Sequence, residues 1–470
     1  MFLSGCASIP HAISPTSKLI DPNGLNPGSA LKSAPKQAGP WPSEKWWQAY
    51  ADPQLDRLVA EATAGNPTMR IAKARIAKVQ ALSGVARASL LPHLSGEAAF
   101  TRERFTENQF FPAPYAGNWS WSNQATLDLS YDFDLWGKNR SSLAAALDYL
   151  QMATAEAQEV RLALETAVVR SYLNLSLQYA LLDIANSTLR QRQEILSITR
   201  RRLAAGLGTE LDLRQAETPV PAARAEVERL SESIELLRNE LGALTGKGPG
   251  DGERIGRPSL SLQLPVRLPE LLPAELLGRR PDVVAQRWRV EAASKGIETA
   301  KAAFYPNLNL SAFVGWQSLD FGKFLSPSSL IEGFGPAVSL PIFQGGRLRG
   351  ELAVSVAEYD MAVESYNSTV IGALQSVANQ VVSLRSLEKQ RAESANSYQL
   401  ALRSYDIGLR AFRGGLTDYL NVLNAQNQTL TEAQRKTQVE ARYLDAYALL
   451  MQALGGGVSL QSPQSPGGRP

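Results

Sequence analysis

The side chains of this 470-residue chain that could do chemistry are few: two histidines, one cysteine and a short acidic series. His11 lies among prolines and His93 beside an alternating segment, and neither belongs to an HExxH, P-loop or GxSxG spacing. No catalytic group, metal site or soluble cofactor is therefore expected. Cys6 closes the tetrapeptide Leu3-Ser4-Gly5-Cys6, which reads either as an ordinary free thiol or as a bacterial lipobox that leaves the cysteine as an acylated first residue. The Pro/Ser/Gly-rich run behind it suits a tether, so a covalent lipid on Cys6 is the expectation, with 1–6 the remnant of a lipoprotein signal. Two or more acyl chains would hold the chain stably on a leaflet. Five residues are too few for a charged leader and an apolar core, so the start of the precursor is expected upstream. The remaining polar series, Asp128, Asp132 and Asp134, falls on even positions of a strand-like run, where carboxylates share one medium, and that medium is water.

The run that carries them alternates with period two. Its odd positions from Trp119 are Trp119, Trp121, Asn123, Ala125, Leu127, Leu129, Tyr131, Phe133 and Leu135, while the even positions are all polar. Strands of about 9–11 residues with aromatics toward both ends are what span an outer membrane. Residues 93–107 alternate less cleanly and form the hairpin partner, giving a strand pair over about 93–135. A second pair is expected over 307–320 and 333–343. No stretch of about 18 apolar residues exists to make a transmembrane helix, and the net charge of +3 gives no reason to expect a nucleic-acid partner.

The two strand pairs belong to a duplication. Pro67 and Pro92 recur as Pro281 and Pro306, both 214 residues on, and Trp136-Gly137-Lys138 and Gln215-Ala216-Glu217 recur at Gly345 and Asn424, both 209 on. The repeats span 43–249 and 279–455, with a tether over 7–42, a linker over 250–278 and a disordered tail over 456–470. Between Lys138 and Ala205 there is neither glycine nor proline, which predicts a helix over about 138–205, roughly 100 Å long. Its counterpart over about 346–412 carries a seam of alternating four and three steps, Leu352, Val356, Tyr359, Val363, Tyr366, Val370, Ala373, Val377, Gln380, Leu384 and Leu387. Small residues beside the seam let helices pack on both flanks. Glycine turns, Gly206-Leu207-Gly208-Thr209 and Gly414-Gly415-Leu416-Thr417, return the chain through helices over about 209–245 and 416–454, with threonine as N-cap. Pro219 and Pro221 should kink the first of these.

Four strands cannot close a barrel, since the smallest membrane barrels have eight. Eight would leave an interior filled by side chains, whereas twelve can hold water. Three chains sharing twelve strands is therefore the expected architecture: an α+β membrane protein, a trimeric 12-stranded transmembrane β-barrel whose wall the helices continue below the membrane as a tube about 100 Å long. An adhesive coiled-coil rod would have no use for the strand pairs.

The segments YDFDLWGKNR, RRPDVVAQRWRVEAA, AAFYPNLNLSAFVG, GPAVSLPIFQGGRLRG and DYLNVLNAQ resemble, in order and over roughly residues 40–455, the outer membrane factor family of TolC-like ducts, in its lipoprotein branch. The resemblance implies a homotrimer in the outer membrane of a Gram-negative cell, a twelve-stranded β-barrel continued by a twelve-helix coiled-coil α-barrel, in contact with its lipids and extending into the periplasm. It implies docking to a periplasmic membrane-fusion adaptor and an inner membrane pump of the resistance-nodulation-division (RND) type, and passive conduction of small molecules such as drugs. A heavy-metal efflux or type I protein secretion channel is the alternative. Gly206, Leu207, Gly208, Thr209, Gly414, Gly415, Leu416 and Thr417 match the family's adaptor-contacting tips. Leu420, Asn421, Asn424 and Asn427 match its periplasmic aperture, or else lie on an ordinary solvated helix face. Where some relatives latch an aspartate to a tyrosine and an arginine, this chain has Asp212, Phe412 and Thr417, which leaves Arg410 or Arg413 as the possible partner.

Overall fold

The computed structural model describes residues 13–26, 28, 40–264 and 278–458. Cys6, His11, the signal remnant, part of the tether, part of the 250–278 linker and the tail from 459 lie outside the described residues.

Asp52 and Asn66 each precede a proline, and each side chain caps the helix that the proline opens. Asp52 accepts from the Gln54 amide at 2.9 Å to start α1 (Pro53–Gly65), and Asn66 from the Thr68 amide at 2.7 Å to start α2 (Pro67–Ala88). The hairpin β1 (His93–Arg104) and β2 (Trp119–Asp132) follows, then α3 (Lys138–Ala204), α4 (Glu210–Glu217) and α5 (Pro219–Leu244). The second repeat gives α6 (Pro281–Ala302), β3 (Asn307–Ser318), β4 (Leu330–Ser339), α7 (Arg347–Arg413) and α8 (Tyr419–Ala453). Each long helix has 67 residues, about 100 Å at 1.5 Å per residue.

Where the chain departs from the expected spans, a neighbour decides. The strand expected over 333–343 runs Leu330–Ser339, because its partner β3 begins at Asn307, opposite Ser339, and offers nothing to pair with 340–343. The first return helix is two helices, broken at Thr218 by Pro219, whose ring cannot donate to the preceding turn. Arg192 of α3 donates to the Pro219 carbonyl at 3.0 Å and braces the break.

The sheet is antiparallel in the order β1-β2-β3-β4. Its register puts Leu94, Ala98 and Phe100 on one face with Leu127, Leu129, Val314, Trp316, Phe334 and Val338. Ser95, Glu97, Thr101, Ser122, Gln124, Asp128, Ser311 and Asn309 occupy the other.

All of the α7 seam is buried except Tyr359 and Gln380: Val363, Tyr366, Val370 and Ala373 pack with Val283 and Val290 of α6, and Val377, Leu384 and Leu387 join the core that includes α8. The largest core lies at mid-height, where Trp46, Trp47, Tyr50, Leu55, Leu58 and Val59 pack on α3, α7 and α8. The six lie on two elements, a 3-10 turn, Trp46–Tyr50, followed by α1. Asp52 joins the two to α3 and the linker, accepting from the Tyr172 hydroxyl at 2.7 Å and the Ser259 amide at 2.8 Å. The tether segment 13–26 lies along α7: Thr16 and Ser17 donate to the Asp360 carboxylate, and the Ile20 amide to Asn367 at 2.9 Å.

The duplication is visible in detail at this level. Asn66 donates to the Leu244 carbonyl at 2.8 Å, and Arg280 donates to the Ala453 carbonyl at 3.0 Å, so each repeat's entrance is tied to its own last helix. Gly246 and Gly455 follow with φ of +77° and +89°, and an added Cβ would meet the Gly65 carbonyl oxygen at 2.6 Å and the Arg279 carbonyl oxygen at 2.2 Å. Both positions need a left-handed backbone and have no room for a side chain. Gly455→Ala is therefore expected to lower stability by at least about 1 kcal/mol, read as a lower temperature for loss of helical circular dichroism. Gly350→Ala, where a Cβ meets nothing within 4 Å, should be neutral or slightly stabilising.

Candidate functional site

The far end of the long helices is built from two turns of the same design. α3 ends with Gly206 at φ +71°, the Leu207 amide donating to the Arg202 carbonyl at 2.8 Å and the Gly206 amide to the Leu203 carbonyl at 2.9 Å. α7 ends with Gly415 at φ +72°, Leu416 donating to Ala411 at 2.8 Å and Gly415 to Phe412 at 3.1 Å. These are left-handed C-caps with crossed backbone bonds. Gly208 and Gly414 have negative φ and act as neighbours of the cap. At the tips Leu207 and Leu416 are 68% and 85% exposed, and Leu211 and Leu420 stand beside them in the open.

The returning helices differ in their caps. Thr209 and Asp212 form a capping box: the Asp212 amide donates to Thr209 Oγ1 at 3.2 Å, and the Thr209 amide to the Asp212 carboxylate at 2.9 Å. The Thr209 hydroxyl also donates to that carboxylate at 2.7 Å. These bonds from Thr209, hydroxyl first and then amide, hold the Asp212 carboxyl below its ordinary value, with a smaller contribution from the charge on Arg202. On the second turn the N-cap is Asp418, which accepts from the Asn421 amide at 3.0 Å, and not Thr417. Thr417 instead accepts from the Asn421 side chain at 3.1 Å. The spacing of 209 shared by the left-handed Gly206 and Gly415 pairs Thr209 with Asp418, so the duplication itself held the signal.

Within one chain Asp212 meets neither Arg410 nor Arg413. Arg413 pairs with Glu194 of α3, and Arg410 is exposed. Another residue that joins the two hairpins is Arg202, which the sequence reading passed over. Its guanidinium lies 4.9 Å above the Phe412 ring and donates to the Phe412 carbonyl at 3.2 Å and the Leu207 carbonyl at 3.3 Å. A basic residue in the last turn of a helix was the available signal. Phe412 is buried with Ile195, Tyr405, Tyr419 and Val422, so the phenylalanine serves the core between the hairpins. Asn421, Asn424 and Asn427 are exposed along with Leu420, on the side of α8 away from buried Tyr419, Val422 and Gln426.

At the other end, the polar face of the sheet holds Asp128 and Asp132. Asp128 accepts from the Thr126 hydroxyl at 2.8 Å, and Asp132 from the Asn307 side chain at 3.2 Å and the Asp134 amide at 2.8 Å. Asp134 does not join them. β2 has ended, φ at Asp134 is +44°, and its buried carboxylate accepts from the Asn139 amide at 2.8 Å and the Arg140 amide at 2.9 Å. It anchors the first turn of α3, with Arg140 Nε at 3.2 Å. Carboxylate at a helix N-terminus is favoured by the exposed amides and the helix dipole, which outweigh exposure to water. Glu97 and Glu103 of β1 share the polar face through the register and were missing from the expected set.

Among the described residues no helix is long and apolar enough to cross a membrane, so the two-faced sheet is the element suited to lipid. The model of the outer membrane efflux protein family matches residues 58–247 and 272–456, one segment per repeat. The fusaric acid resistance protein FusA of Burkholderia cepacia is 44% identical over 360 residues, covering 76% of this chain and 68% of its own length. The multidrug resistance outer membrane protein MdtP of Escherichia coli (strain K12) is 30% identical over 463 residues, 97% of this chain and 94% of MdtP. The crystal structure of the outer membrane protein VceC from Vibrio cholerae matches with a TM-score of 0.83 at 34% identity, over 89% of this chain and 100% of that one. A family model spanning both repeats, a matching fold and a sheet with one apolar and one polar face agree on one assignment: the chain belongs to the outer membrane efflux protein family and is a TolC-like efflux channel protein of the outer membrane.

Proposed function

We propose that three copies close a twelve-stranded barrel over a twelve-helix duct, and that this duct passes small molecules from a periplasmic membrane-fusion adaptor and an inner membrane RND-type pump to the outside. The observation that carries the reading is the sheet: among the described residues β1 and β4 each keep one edge without a strand partner, while one face is apolar and the other polar. Such edges are untenable in hydrocarbon, and a filled eight-stranded interior would waste the polar face. The chain supplies no energy; the pump does. A lipid on Cys6 would hold the tether at the inner leaflet. The 44% identity to FusA makes fusaric acid the first compound to try.

In the same reading the tips meet the adaptor, and the aperture is closed just behind them. Leu207 and Leu416 offer apolar contact to an adaptor hairpin. Leu420, Asn421, Asn424 and Asn427 face the axis, where uncharged amides hold multivalent cations far more weakly than carboxylates would. Asp212 acts by fixing the first turn of α4, so its influence on the aperture runs through the tip's rigidity.

Deleting the gene from its host is expected to raise sensitivity to fusaric acid, and the purified protein should behave as a trimer in detergent with passive conductance in planar bilayers. Unchanged sensitivity to fusaric acid and to a drug panel would remove the efflux role. Asp212→Ala should leave a leakier channel, seen as higher conductance and greater vancomycin uptake, with Thr209→Ala, at a cost of about 1 kcal/mol for the lost cap, moving in the same direction. Unaltered uptake in both variants would assign closure to Leu420 packing alone. Because the Asp212 carboxyl is held below its ordinary 3.8, the cap's contribution is complete above that value and disappears only as pH falls through the lower folded one. Conductance should therefore be flat through this group between about pH 5 and 7. Asn421→Asp combined with Asn424→Asp should make conductance sensitive to divalent or trivalent cations, and an absence of block in bilayers would take these residues out of the aperture.

A further inference from the structure

The membrane-facing side of the sheet carries three charges among its described residues, and they lie near one end. Arg102 and Arg104 end β1, and Glu332 stands two residues inside β4, with Val314 directly opposite it. Every other position on that face is apolar or neutral, from Leu94 to Tyr131 and from Leu308 to Val338. Neither Arg102 nor Glu332 has a hydrogen-bond or ion-pair partner among the described residues, and both are exposed in the single chain. Arg104 is engaged, donating Nε to the Gly117 carbonyl at 2.9 Å. The two unpartnered charges sit on opposite edges of the same sheet, β1 at one side and β4 at the other.

Resting on the trimer proposed above, we infer that Glu332 of one copy pairs with Arg102 of the adjoining copy, and that this ion pair fixes the register of the seam. The register follows from three constraints. Within one chain, Leu330 is level with Trp316, Ala125 and Ala98. A closed barrel must stagger as it goes round, and the stagger per chain must be even, because an odd slip would turn the apolar face inward. Both strands must also end together at the rim, which sets Leu330 of β4 against Arg104 of the next β1, six residues beyond Ala98. All ten residues of β4 then find partners within Ser95–Arg104. Phe334 falls opposite Phe100, Val338 opposite Gly96, and Glu332 opposite Arg102. A stagger of four would set Glu332 against Phe100, and one of eight would set it against the already engaged Arg104 while leaving Leu330 beyond the end of β1. Only six joins the two free charges.

Cysteine crosslinking in the full-length protein, with the native chain as background for Cys6, tests the register. Under mild oxidant, Arg102→Cys with Glu332→Cys should convert most of the protein to covalent trimer, whereas Phe100→Cys or Arg104→Cys with Glu332→Cys should leave mostly monomer on denaturing gels. Charge exchange supplies the second readout. Arg102→Glu and Glu332→Arg should each shift the temperature of trimer dissociation in detergent downward, and combining them should restore it. Preferred crosslinking of either control pair, no crosslinking in an intact trimer, or no restoration by the exchange overturns the inference while leaving the trimer standing. A native chain that is monomeric by light scattering overturns the trimer itself, and the seam with it.

Discussion

A sheet surrounded by hydrocarbon has no water to satisfy the backbone at its edges, and each unpaired amide or carbonyl there costs several kcal/mol. Four strands per chain cannot bend far enough to meet each other, so one chain of this protein is an incomplete object. Its surface shows the deficit directly: Phe334 is 89% exposed and Val338 69%. Large apolar side chains in this state are acceptable only where lipid or another copy covers them. The alternation of β2 and the flat polar face follow from the same demand. One side must match lipid, and the other must tolerate whatever passes.

The helices inherit the geometry that the strands impose. Within one chain the α7 seam serves two partners in succession, packing on α6 through Val363, Tyr366 and Val370 and joining the core shared with α8 through Val377, Leu384 and Leu387. Each buried leucine or valine on such a seam contributes about 1.5–3 kcal/mol relative to exposure, and these contacts recur along the whole rod. At mid-height the wall thickens, with α1 and the linker packed on α3 around Asp52. There Asn66 and Arg280 clasp the ends of α5 and α8. Two repeats thus solve the same joint with different side chains, amide in one and guanidinium in the other, because each need only reach a terminal carbonyl.

Periodic features were legible in the sequence because one local rule generates them: the α7 seam, the two faces of β2, the glycine caps and the 67-residue helices. What was not legible depends on residues distant in the chain. The end of β4 is set by where β3 starts, whereas the break at Thr218 falls where Pro219 and Pro221 already marked a kink. Asp134 continued the even-numbered acidic series on paper, yet the backbone turns left-handed there and delivers the carboxylate to α3. Thr417 was read as a cap because it is a threonine beside a glycine turn. Aligning the turns on their left-handed glycines moves that role one residue on, to Asp418. Arg202 could not be assigned at all without knowing that Phe412, far along the chain, would lie beneath it.

Much of the charge at the tip is paired within the chain. Arg200 pairs with Glu217, Arg413 with Glu194, and Arg214 with Glu210 and Glu217, while Asp212 is saturated by Thr209. Pairs this exposed contribute little stability each, but they use up the charges that could otherwise reach across to another copy. Facing outward at the end of the rod are Leu207, Leu211, Leu416 and Leu420, with the uncharged Asn424 and Asn427 behind them and Arg410 exposed near the end of α7. Leucine and amide contacts of this kind are weak individually. Arg102 and Glu332, the charges inferred to meet at the seam, lie at the opposite end of the molecule.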